Sequence, residues 1–270
     1  MNSCYRKKLM SILTLLICLS IMLYMGIKLI YNQQQSTNNN GDSGIQLNDY
    51  DWKYLHKKHG IYTYDDGNYH SITGIDVSDH QGKIDWARVK KAGIDFAMIR
   101  CGYRGYSTGL LNQDDYYEEN ITQALNNNLK VGVYWISQAI KVSEANEEAE
   151  YVLTLIRNHQ ISGPIAFDME EVEGRSERIN NLTLNQRTKI ALAFCDKIIN
   201  AGYETMIYGN DSWLQSAFKL SKITQYPIWY AGYLAQPGIA YQFKMWQYTS
   251  SGTIDGINGY VDLNLWFIKG

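Results

Sequence analysis

The sequence is poor in histidine and cysteine, and it carries no excess of either charge. Lys and Arg number 25 against 27 Asp and Glu, a formal net charge of −2. A nucleic-acid binder needs a concentrated positive face, so that class is excluded. Only five histidines occur, and no H-x-H or H-E-x-x-H pattern is present. That argues against a transition-metal hydrolase; His80 alone follows a strand-like run. The four cysteines, Cys4, Cys18, Cys101 and Cys195, have neither metal-site spacing nor the spacing of a disulfide framework. No G-x-G-x-x-G or Walker-type loop follows a strand, which weakens a nucleotide-binding reading. Neither a cofactor nor a metal is expected.

Charge is also missing from Leu9 to Ile27, directly after Arg6, Lys7 and Lys8. A helix needs about 20 apolar residues to cross a bilayer, and small residues of a cleavage site do not close this run. Residues 9–30 are expected to form an uncleaved signal anchor, with residues 1–8 cytoplasmic and the remainder outside; a cleaved signal peptide is the alternative. "NQQQSTNNNGDSG", from Asn32, is polar and reads as a flexible linker. Residues 45–70 are rich in aromatics without a clear period. They are grouped with this linker as a stalk over 31–70, and the sequence leaves open whether they pack on the domain or supply a lead-in strand.

From Ser71 onward, short β-like runs alternate with helical stretches. "ITGIDVS", "IDFAMIRCGY", "KVGVYWIS", "GPIAFDME" and "ETMIYGN" read as strands, each followed by a helix. Ser143 with Glu147 marks the start of the third helix, and Gly93 and Gly202 stop two others. "YPIWYAGY", "FKMWQYTSSG" and "NGYVDLNLWF" then read as three strands with little helix between them. Alternation of this kind indicates an α/β fold with parallel strands. The expected architecture over 71–270 is an irregular TIM-like barrel of five β/α units and three closing strands; an open doubly wound sheet is the alternative.

Carboxylates end several of these apolar runs. Asp76 lies in "GIDVS", Asp168 and Glu170 in "FDMEEV", and Asp262 in "YVDLNLW". Each is read as lying at or near a strand's C-terminal end, where β/α barrels build their active sites. Alternation puts Asp168 and Glu170 on one face, with Met169 opposite. Acids crowded together raise the pKa of at least one member. A protonated carboxyl beside an ionised one is the pair that breaks a glycosidic bond. A helix cap or an ion pair is the bland reading of any single acid, and a divalent-metal site is the functional rival of the cluster.

In order along the chain, "GIDVSDHQGKIDW", "FAMIRCGYRG", "KVGVYWISQA", "GPIAFDMEE", "YGN", "PIWYAGY", "MWQYTSSGTIDGI" and "VDLN" resemble the glycoside hydrolase family 25 lysozymes, the Chalaropsis-type muramidases. The resemblance runs from about Gly74 to Phe267 and implies the same irregular barrel. It also implies hydrolysis of the β-1,4 bond between N-acetylmuramic acid and N-acetylglucosamine in peptidoglycan. Glu170 matches the general acid and Asp168 its partner, while Asp76 and Asp262 match the acids of the first and last strands. One mechanism in such enzymes uses the substrate's N-acetyl group as nucleophile, steadied by an Asp; Asp168 is favoured for that role. Tyr134, Tyr208, Trp229 and Trp246 fit sugar subsites. Arg100 is placed either against the muramic lactyl group or against a pocket acid. Unlike many relatives, the chain is expected to carry no repeat wall-binding module after Phe267. This favours a membrane-tethered enzyme remodelling nearby wall, for example around a secretion or DNA-transfer channel. A non-catalytic peptidoglycan-binding scaffold and a metal-dependent envelope polysaccharide hydrolase are the competing functions.

Overall fold

The computed structural model describes residues 44–171 and 178–270. The expected signal anchor at 9–30 and the polar linker from Asn32 lie outside the described residues. Among the described residues, no helix is long and apolar enough to cross a membrane.

A hairpin comes first, β1 (Leu55–Lys58) with β2 (Ile61–Tyr64). Then follow β3 (Tyr69–Val77), α1 (Trp86–Lys91), β4 (Phe96–Arg104), the short β5 (Leu111–Gln113) and α2 (Tyr117–Asn126). β6 (Lys130–Ile136), α3 (Val142–Ile156), β7 (Ile165–Asp168), α4 (Leu184–Asn200) and β8 (Thr205–Asn210) continue the alternation. Two small helices, α5 (Asp211–Ala217) and α6 (Leu220–Ile223), lead to β9 (Ile228–Ala231), β10 (Met245–Gly252) and β11 (Val261–Lys269).

Eight of these strands close on themselves in the order β3-β11-β10-β9-β8-β7-β6-β4, with β4 pairing back onto β3. The five β/α units and three closing strands expected from the sequence are present. Seven strands run parallel, whereas β11 is antiparallel to both β10 and β3. Local chemistry sets the helix ends. Asp85 caps α1 through the Arg88 amide, and Thr183 with Gln186 forms a reciprocal capping box at α4. Gly93 and Gly202 end helices with φ of 93° and 89°, a backbone region that disfavours a side chain. The expected cap at Ser143 is absent. α3 starts one residue earlier, at Val142, and the Glu144 carboxylate accepts the Ile140 amide instead.

Period-2 alternation divides the apolar residues into two layers. Phe96, Met98, Ala166, Met206, Trp229, Met245 and Trp266 fill the barrel interior. The opposite faces of the same strands pack under the helices, as with Phe167 of β7 against Phe194 of α4. Gly74 makes the interior fit, since a Cβ there would lie 2.3 Å from the Phe96 ring.

No helix lies between β9 and β10 or between β10 and β11, which leaves their outer face without a crossover element. Residues 45–64 cover it. The Tyr50 ring centroid lies 4.5 Å from that of Phe267 and 5.2 Å from that of Phe243, and its hydroxyl donates to the Phe243 carbonyl at 2.7 Å. Tyr62 of the hairpin packs against Trp246 and Tyr248. Residues 45–70, assigned to a stalk by composition, therefore belong to one compact unit with the barrel, Ile45–Gly270. Their aromatics have no clear period because they fill gaps over a twisted sheet rather than line one face of a regular element.

Candidate active site

β7 ends at Asp168, and the chain continues through Met169 and Glu170. Asp168 and Glu170 both face a pocket of about 340 Å3 at the barrel mouth. Met169 is fully buried on the opposite side, as alternation requires. The Trp213 indole N–H donates to the Met169 carbonyl and fixes this turn. Glu171 pairs with Arg187, so the third acid of the stretch braces α4.

Asp76 and Asp262 are direct cross-strand partners on β3 and β11. Asp262 does not end its strand, as its sequence position suggested. It is the second residue of β11, and the reversed direction of that strand brings it to the same rim as Asp76. All four predicted acids line the one pocket.

Asp76 is the best-anchored of them. Its Oδ2 accepts from Gln247 Nε2 at 2.9 Å and from Asn264 Nδ2 at 2.7 Å. Both amides are oriented from behind. Gln247 Oε1 accepts the hydroxyls of Tyr208 at 3.0 Å and Tyr233 at 2.8 Å. Asn264 Oδ1 accepts the indole N–H of Trp229 at 2.8 Å. With their oxygens occupied by donors, each amide presents N–H to Asp76. Asp262 adds a third hydrogen bond to the same carboxylate.

Burial pushes the pKa of Asp76 up, and the hydrogen bonds from Asn264, Gln247 and Asp262 oppose it. Asp262 is pushed up to about 8, first by burial and then by the charge of Asp76 and the hydrogen bond to it. Of this pair Asp76 ionises first and Asp262 keeps the proton. Glu170 is pushed up to about 7 by burial, with the Asp76 charge adding to it. Asp168 is held well above the usual carboxylate range by burial, then by Glu170 and Asp76, while Arg100 pulls the other way. Its Oδ1 is buried and has no hydrogen-bond partner.

Arg100 pairs with none of these four acids. Its guanidinium is held by Asp114 at 2.7 Å and Asp79 at 2.6 Å, and it lines the pocket wall. Tyr134, Tyr208 and Trp229 also line the pocket. Trp246 does not: it is completely buried on the outer face, its indole N–H donating to the Gly232 carbonyl at 2.7 Å. Alternation on β10 sends Met245 and Gln247 inward and Trp246 outward. Sequence reasoning missed Gln247 and Tyr233, which line the pocket, and Asn264, which is buried behind it as a partner of Asp76. Counting in twos from Asp262 reaches Asn264, so the last strand carried a signal for it.

The family model for glycosyl hydrolases family 25 matches residues 75–257. The chain belongs to this family. The matched span of the family 25 domain contains Asp76, Asp168, Glu170 and Gln247. It stops before Asp262 and begins after the hairpin at 55–64. The domain is similar to the autolytic lysozyme of Clostridium acetobutylicum, with 28% identity over 194 residues, 72% of this chain and 55% of that protein. It is also similar to the uncharacterized protein YegX of Escherichia coli K12, with 28% identity over 96% of this chain and 90% of that one. Among solved structures, the modular autolysin LytC of Streptococcus pneumoniae in complex with a synthetic peptidoglycan ligand superposes with a TM-score of 0.68. Identity there is 26%, over 78% of this chain and 52% of LytC. The chain thus spans about half the length of the autolytic lysozyme and of LytC.

The raised acids make the stability of the fold depend on pH. A carboxyl whose folded pKa lies above its unfolded value stabilises the fold below the unfolded pKa, and that contribution is lost as pH rises through the folded value. For Asp262 the window runs from about 4 to about 8. Asp262→Asn removes the ionisation, so its stability relative to the parent should rise across this window. Asp262 is only partly buried and solvent screens it, so the gain at alkaline pH should be on the order of 2 kcal/mol rather than the full value of the shift. Urea denaturation at pH 4 and pH 9 reads the difference, and equal effects at both would show that Asp262 titrates normally.

Proposed function

We propose that the protein is a peptidoglycan muramidase that hydrolyses the β-1,4 bond between N-acetylmuramic acid and N-acetylglucosamine. The observation that carries this reading is the Asp168–Glu170 pair in a pocket that favours protonated carboxyls, with an anchored Asp76 beside it. Membership of family 25 and the likeness to a lysozyme and an autolysin support it.

Glu170 is assigned as general acid. With a pKa of about 7 it keeps a proton at neutral pH and loses it readily, as proton transfer to a leaving group requires. Its proton passes to the glycosidic oxygen as the bond to the muramic C1 breaks. The carbonyl oxygen of the muramic N-acetyl group attacks C1 and forms a cyclic intermediate. Asp168 accepts the N–H of that group at its unpartnered Oδ1 and offsets the growing positive charge. A substrate N–H at this position, together with Arg100, favours the ionised form of Asp168, so the pair's proton resides on Glu170. Water then attacks C1, the bond from C1 to the acetamido oxygen breaks and restores the N-acetyl group, and Glu170 takes the water's proton and returns to the acid form. The net reaction consumes one water and releases a new reducing end on muramic acid. Asp76 and Asp262 hold the floor of the pocket, and the rings of Tyr134, Tyr208 and Trp229 shape its walls.

Glu170→Gln keeps the shape and removes the proton, so activity on purified peptidoglycan should fall by about 10²–10⁴-fold. Wild-type digestion should decline as pH rises through about 7. It should yield reducing muramic acid and be insensitive to EDTA. A near-wild-type rate for the variant would refute the assignment. New ends on glucosamine, anhydro products or loss of activity with chelator would point to another reaction.

The same proposal places the barrel on the wall side of the membrane, tethered through residues 9–30 and serving local wall remodelling. The uncharged run after Arg6, Lys7 and Lys8 supports this. External protease on intact cells should degrade membrane-associated full-length protein. A shorter form free in the medium, starting after Ile27, would contradict the tether.

A further inference from the structure

A second groove continues from the acidic pocket. It encloses about 440 Å3 and shares Tyr233 and Ser250 with the catalytic pocket, so the two form one path over the Tyr233 side chain. One side is the β9–β10 loop and the hydroxyl-rich end of β10. The other is the N-terminal hairpin, through Lys57 and Tyr62. Those two residues are cross-strand partners. Tyr62 is anchored between Trp246 and Tyr248, and Lys57 Nζ lies 4.6 Å from the centre of the Tyr62 ring. Among the described residues no carboxylate pairs with Lys57. Tyr233 is 56% exposed, a large open ring whose hydroxyl is nevertheless fixed to Gln247.

The two ends of this path differ in charge. At the catalytic end Asp76 is the acid that ionises first and Arg100 is already paired with Asp79 and Asp114, whereas the hairpin end has a lysine flanked in sequence by His56, Lys58 and His59. An anionic segment of substrate is repelled from the first end and attracted to the second. We infer that the hairpin groove is a binding site for the carboxylate-bearing stem peptide of peptidoglycan, with Lys57 as its cation and Tyr233 as the platform between glycan and peptide. The inference rests on the muramidase reading, because that reading puts the glycan in the adjoining pocket. The hairpin lies outside the residues that the family model matches.

The test separates binding from turnover. Insoluble peptidoglycan is prepared in its native form and with its peptide carboxylates converted to amides by carbodiimide and ammonia. Binding of the full chain is read by co-sedimentation in the Glu170→Gln background, and digestion is read with Glu170 intact. Lys57→Glu should weaken binding to native wall by about two- to fivefold, the range of an exposed ion pair. On amidated wall it should have no effect. The same substitution should raise KM on native wall and leave kcat unchanged, and the difference should shrink with added salt. Equal binding of parent and variant to native wall overturns the inference. So does an equal loss on both walls, which would show that the hairpin packing has been disturbed. A parent chain that binds with this charge dependence but releases no reducing ends would overturn the muramidase reading instead.

Discussion

The Asp76 carboxylate is the constraint around which the pocket is arranged. A buried carboxylate is costly unless its oxygens are hydrogen-bonded. Here Gln247, Asn264 and Asp262 converge on it, and the two amides are themselves oriented by Tyr208, Tyr233 and Trp229. Residues on four strands and one loop are thereby locked to one charged group on a fifth strand. The charge has a second effect, because it adds to burial in raising Glu170 and Asp262. The group that organises the floor also keeps protons on its neighbours, which is what a general acid in a neutral medium needs.

This arrangement depends on how the barrel closes. Had β11 run parallel to β3, its second residue would lie at the opposite end of the barrel from the carboxylates of β3 and β7. Reversing the strand brings Asp262 opposite Asp76 and places Asn264 two residues deeper on the same inward face. Bare connections accompany this closure, and they leave apolar residues such as Trp246, Tyr248 and Phe267 without helices above them. Residues 45–64 supply that cover with tyrosines and a tryptophan. The segment that completes the outer core therefore also lines a groove leading from the pocket.

Much of this was legible in the sequence because it follows from short-range rules. The Asp-x-Glu spacing predicts a shared face for Asp168 and Glu170, and apolar runs separated by helical stretches predict the β/α units. Parity on an isolated strand is harder to read. In "KMWQY" every residue is large or polar enough to face either way, and aromatic character alone assigned Trp246 to the pocket in place of Gln247. The direction of β11 also has no local signature, since a strand reads the same along its length whichever way it pairs. The hairpin was hidden for a related reason. Its tyrosines answer to the sheet beneath them, not to a period of their own.

The proposed chemistry depends on where the pocket's protons reside. Carbon-detected NMR titration of side-chain carboxyls in 13C-labelled protein measures this directly, with Asp262→Asn and Glu170→Gln used for assignment. The account predicts one signal titrating near 7 that disappears with Glu170 and one near 8 that disappears with Asp262, while Asp76 ionises before Asp262. If all four carboxyls titrate between about 3.5 and 4.5, as they do in model peptides, the pocket stores no proton at neutral pH and the proposed acid catalysis by Glu170 fails.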